Sequence, residues 1–157
     1  MTVAVEVVDD TGLVADREIA RALVEAVLDA EGVSGEVAVA FVDEAAIAEL
    51  NRRYRESNDP TDVLAFDYAA EPGWPAQAGS GGVAGEVVVC PQVVIRYAGE
   101  EGRDPAAQLG WTLIHGALHL AGHDHETDRG EMREREQRLL EQFDGLVRLL
   151  SVAGGRG

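Results

Sequence analysis

Apolar positions recur along the chain at two different periods, and where the period changes an element ends. The run Val3 to Val8 alternates, with Val3, Val5 and Val7 on one side, and predicts a strand. Ile19, Leu23 and Val27 then repeat at four-residue steps, the buried stripe of a helix that Asp16 caps and that ends near Gly32. Val37 to Val42 is apolar on both faces, as in a strand covered from two sides. Asp43 caps a second helix with Ile47, Leu50 and Tyr54 inward, and its end carries Arg52, Arg53 and Arg55. After a turn at Asn58, Asp59 and Pro60, Asp62 to Phe66 predicts a short strand, and Gly85 to Cys90 another. Between them Ala70 to Gly82, rich in Gly, Ala and Pro, is expected to be a mobile loop.

The second half of the chain is helical in pattern. Pro91 suits the first turn of a helix through about Ala98, and Asp104 followed by Pro105 marks the start of the next. Leu109, Trp111, Leu113, Ile114, Leu118 and Leu120 occupy most of the circumference of that helix, which must be buried nearly all round. Thr127 is the expected cap of a last helix, with Met132, Leu139, Leu140 and Phe143 inward and Glu131/Arg135 and Glu134/Arg138 paired outside. The tail from Ser151 to Gly157 is expected to be disordered. Strands alternate with helices early and three helices follow, so the fold class is α+β. We expect a single domain over residues 1–150, a small mixed sheet covered by about five helices, with no internal repeat or linker.

Chemistry concentrates in one place. All four histidines lie in HGALHLAGHDH, from His115 to His125. His115 and His119, four apart, share one face of the buried helix, and Gly122 can take the left-handed conformation that turns the chain back and brings His125 toward them. Three imidazoles on one zinc ion leave a fourth position open for water, as in catalytic rather than structural sites. The spacing is also that of the zinc proteases of the HExxHxxGxxH type, but the position of their glutamate base is Gly116 here. That disfavours a metalloprotease and points to hydrolysis of something other than peptides. His123 fits neither the helix pair nor the third-ligand offset, and Asp124 is placed either to orient a ligand imidazole or simply to form the turn.

Composition then narrows the setting. A chain of 157 residues is long enough to bury a core without a disulfide or structural metal, and its single cysteine, Cys90, rules out an internal disulfide. The beginning MTVAVEVVDD shows no export signal and no apolar stretch approaches membrane-spanning length, so a cytoplasmic protein is expected. The formal net charge of −16, with every basic residue an Arg, argues against tight unaided binding of a polyanion. A local Arg cluster can still act, because distant carboxylates are screened over roughly 8–10 Å in physiological salt.

Two stretches resemble a known family. HGALHLAGHDH is similar to the histidine signature of the YbeY family, bacterial metal-dependent endoribonucleases also described as rRNA maturation factors. LNRRYRESNDPTDVLAF, from Leu50 to Phe66, resembles the family's second signature, and GEVVVCP fits the strand after it. The resemblance implies one zinc ion held by His115, His119 and His125, with Arg55 matching the arginine that the family needs for activity. His123 stands where many members carry tyrosine. The implied substrate is single-stranded RNA, in ribosomal RNA end maturation and ribosome quality control, with a ribosomal protein or GTPase as partner. The other reading is a non-catalytic ribosome-assembly factor whose zinc merely fixes the fold.

Overall fold

The computed structural model describes residues 3–55, 61–67, 84–123 and 129–152, with the Arg55 side chain outside that description. Four strands, β1 (Val3–Asp9), β2 (Gly35–Phe41), β3 (Val63–Asp67) and β4 (Gly85–Val89), form one sheet in the order β1-β2-β4-β3. β1, β2 and β4 run parallel and β3 pairs antiparallel with β4 at the edge, Val63 opposite Val89. The helices are α1 (Arg17–Ala30), α2 (Glu44–Arg55), α3 (Pro91–Glu101), α4 (Pro105–Leu120), α5 (Glu131–Gln142) and the short α6 (Asp144–Val147). The α+β class and mixed sheet are therefore as expected, with one short helix added. The central position of β2 accounts for its apolar character on both faces.

The helix starts follow local chemistry. Asp16, Asp43 and Asp104 each accept a hydrogen bond from the backbone N–H three residues on, satisfying a donor that has no partner within the helix. α5 is different. The expected cap, Thr127, lies outside the described residues, and the helix begins at Glu131 behind Gly130, whose φ of 105° is open to glycine and strained for other residues. Arg135 likewise turns from Glu131 to Glu31, Nε to Oε2 2.6 Å, tying α5 to the end of α1.

The larger core lies between the sheet and α1, α4 and α5, and holds Leu23, Val27, Val39, Val87, Leu113, Ile114 and Leu139. A smaller one joins Ile47 of α2 to Leu64, Phe66, Val88 and Val93. The first residues of the expected tail are part of the fold rather than disordered: Val152 is buried and bridges Val14, and Ser151 accepts the Ala15 N–H at 3.2 Å. Burying that valine favours order at this point. Residues 153–157, the Asn58 to Pro60 turn and the expected loop from Ala70 to Gly82 lie outside the described residues.

One carboxylate organises the β1 to α1 connection. Asp9 Oδ1 accepts from the Thr11 hydroxyl (2.6 Å) and from the N–H groups of Thr11 (2.8 Å) and Gly12 (3.1 Å), and Oδ2 from Val14 N–H (3.1 Å). Partial burial raises its pKa, but the Thr11 hydroxyl and the three backbone donors outweigh it and hold the carboxyl below its ordinary value. A depressed carboxyl stabilises the fold above its unfolded pKa, and that contribution is lost as the pH falls through the folded value. Asp9→Ala is therefore expected to cost about 1–3 kcal/mol at neutral pH, with variant and wild type converging in acid. Urea unfolding at both pH values checks this, and equal stability at neutral pH would refute it.

Candidate functional site

α4 is packed on nearly every side. Leu109, Leu113, Ile114, Ala117 and Leu118 are fully buried, while Trp111, His115 and His119, each four residues apart, make a partly exposed line along it. Steps of four keep side chains on one face, so this line is the helix's only long opening among its polar-tipped residues. The imidazoles of His115 and His119 meet edge to face, ring centres 4.7 Å apart and planes at 76°, with their Nε2 atoms 3.2 Å apart. On its other side His115 stacks on the Trp111 indole, centres 4.9 Å apart and planes at 28°.

Glu136 of α5 closes the arrangement from behind. Its Oε1 lies 2.7 Å from His115 Nδ1, and its Oε2 accepts the Trp111 indole N–H at 2.8 Å. Only 6 % of Glu136 is exposed, so this is a carboxylate inside the protein with both oxygens engaged. Neither Glu136 nor Trp111 was expected at the site. The available signal was a charged residue within the apolar stripe of α5, four after Met132 and three before Leu139.

Asp62, just before β3, is a further carboxylate near the pair. Burial pushes its carboxyl above the usual range, opposed by its own backbone N–H, by the neighbouring His115 and by contacts with Val63 and Thr61. The backbone oxygen of Asp62 accepts Cys90 N–H at 2.9 Å, which ties this approach to the end of β4.

Gly116 faces the sheet and not the imidazoles. A Cβ there would come within 2.7 Å of Val87 Cγ1 and 3.1 Å of Val63 Cγ2, so a glutamate base at this position is excluded by packing. Past the helix, Gly122 takes φ 100° and His123 N–H bonds back to Leu118 O at 3.0 Å, the expected left-handed turn. His123 Nε2 lies 2.9 Å from Glu31 Oε1, beside the Arg135 contact. Burial raises the Glu31 carboxyl, but His123 and Arg135 together hold it below its ordinary range.

Of the expected site residues, His115 and His119 are brought together. His125 and Asp124 lie outside the described residues, and Arg55 is the last residue of α2 with its side chain undescribed. Among the described residues no third His, Cys, Asp or Glu joins the pair in a metal-binding group. Arg52 is engaged with Glu49, and the Arg53 guanidinium lies 5.2 Å from the Tyr54 ring centre.

The donor set fits zinc. Two nitrogens bound to one tetrahedral ion at about 2.0–2.1 Å stand roughly 3.3 Å apart, close to the Nε2 separation of the pair. A carboxylate on the far ring nitrogen is also the usual support of a metal-binding histidine.

The sequence profile of the endoribonuclease YbeY family matches residues 8–144. The chain belongs to the YbeY family. The YbeY endoribonuclease of Halorhodospira halophila is 43% identical over 126 residues, covering 80% of each chain. That of Thermobifida fusca is 36% identical over 142 residues, covering 87% of this chain and 92% of its own. The solution structure of TM1509 from Thermotoga maritima superposes with a TM-score of 0.61 at 29% identity, covering 92% of this chain and 91% of that one. The YbeY match thus runs from the end of β1 through β2, β3, β4 and α1 to α5, and it includes both signatures.

Proposed function

We propose that this chain is a zinc-dependent endoribonuclease that cleaves single-stranded RNA, acting in ribosomal RNA end maturation and ribosome quality control. The observation that supports this most is the His115 and His119 pair, Nε2 to Nε2 3.2 Å, backed by Glu136 in a chain of the YbeY family. His115, His119 and His125 would hold one ion. When bound, zinc supplies Lewis acidity at a phosphoryl oxygen.

The chain's own residues supply the rest. Charge developing on a phosphodiester spreads over two non-bridging oxygens, which a planar guanidinium matches with paired donors at any working pH. Arg55 is assigned that role. The net charge of −16 weakens unaided capture of RNA, so delivery by a ribosomal protein or GTPase belongs to this reading. The site of action is the cytoplasm; among the described residues no helix is long and apolar enough to cross a membrane.

Zinc content of the purified protein, measured alongside cleavage of single-stranded RNA and of an unstructured peptide with and without chelator, tests the proposal. The expected result is one zinc per chain and RNA cleavage that chelator abolishes, with the peptide intact. Zinc-loaded protein that leaves RNA uncut would overturn it in favour of an assembly factor. Within the same assay Arg55→Lys is expected to lower the single-turnover rate at least about tenfold, roughly 1.4 kcal/mol, with zinc content and melting temperature unchanged. Wild-type cleavage by that variant would leave Arg55 no catalytic role.

A further inference from the structure

We infer that Glu136 is the positioning residue of the centre: anchored by the Trp111 indole, its carboxylate keeps the His115 proton on Nδ1, so that the lone pair of Nε2 is the one presented to an ion shared with His119. This rests on the zinc reading above. A carboxylate so deep in the protein is costly unless both oxygens are bonded. The indole N–H can only donate, so Oε2 is held as an acceptor at 2.8 Å and the carboxylate plane is fixed. Oε1 then faces His115 Nδ1 at 2.7 Å, a contact that requires the proton to sit between them.

A neutral imidazole carries one N–H and one bare nitrogen. With the proton on Nδ1, His115 Nε2 is bare, and it points at His119 Nε2 from 3.2 Å. That separation is the one two ligands of a tetrahedral ion keep, so an ion bound there would be held by both nitrogens. Trp111 contributes twice, since the ring that anchors the carboxylate also stacks on His115 and holds the imidazole plane. The triad therefore spans α4 and α5. A purely structural Glu136 would dock α5 onto Trp111 and have no influence on the His115 proton.

Glu136→Gln keeps the shape and an oxygen for the indole but puts an amide donor within reach of Nδ1. Imidazole nitrogen NMR of the metal-free protein reads the tautomer directly. The wild type is expected to carry the His115 proton on Nδ1, and the variant on Nε2. Competition with a chelator is expected to show zinc bound about 10–100-fold more weakly by the variant. Trp111→Phe keeps a stacking ring without the N–H and should weaken zinc binding in the same direction but less. A wild-type proton on Nε2, or an unchanged tautomer and zinc affinity in Glu136→Gln, overturns the inference. If the wild type binds no zinc, the proposed function fails while the tautomer measurement still decides the role of Glu136. If Glu136→Gln does not fold, the wild-type tautomer and Trp111→Phe decide it.

Discussion

Replacing His119 by Ala is expected to abolish zinc binding and to bring single-turnover RNA cleavage below about a thousandth of the wild-type rate, roughly 4 kcal/mol of lost transition-state stabilisation, in a protein that still unfolds cooperatively. The separation of function from fold follows from where the side chain lies. His119 belongs to the partly exposed line of α4, while the residues that hold this helix, Leu109, Leu113, Ile114, Ala117 and Leu118, are fully buried and untouched by the change. The change removes the edge contact with the His115 ring. A chain of 157 residues is long enough to bury a core without a metal. Zinc analysis, thermal unfolding and cleavage on one preparation check all three parts. Loss of cooperative unfolding would mean that the pair is structural.

Gly116 has the opposite character. Installing the protease base by Gly116→Glu is expected to cost more than about 4 kcal/mol and to abolish cooperative folding, with no gain of peptidase activity. The added Cβ alone meets Val87 Cγ1 at 2.7 Å and Val63 Cγ2 at 3.1 Å, and these are β-branched residues of two paired strands with little room to yield. Gly116→Ala should accordingly cost about 1–3 kcal/mol, and the remainder of the Glu penalty comes from a carboxylate forced against the sheet. Denaturant unfolding of the two variants separates steric from charge cost. A Glu variant with wild-type stability would show that the helix can lift from the sheet.

These two positions also show what was legible in the sequence. The apolar periods and the capping aspartates gave α1, α2 and α4 close to their observed bounds, because those signals are local. Histidine spacing placed His115 and His119 on one face for the same reason. In the sequence Gly116 reads only as a missing base, and its packing against Val63 and Val87 depends on β3 lying antiparallel beside β4, which no local pattern encodes. Arg135 looked like the partner of Glu131 four residues away, whereas the fold offers it Glu31 from a distant helix. Glu136 sat within the charged run EMREREQR, where one carboxylate of several resembles a solvated face. Its place in the Met132 to Leu139 stripe was the sign that it turns inward.

The orienting carboxylate enters the chain 21 residues after the histidine it touches. During synthesis both imidazoles of α4 are therefore made before α5 exists to meet them, and the sheet beneath them is already complete in sequence. The centre is finished only by α5, so a chain cut short before Glu131 retains the histidine pair but has lost the group that aims it. An enzyme assembled in this order is kept without its finished site until α5 has been made.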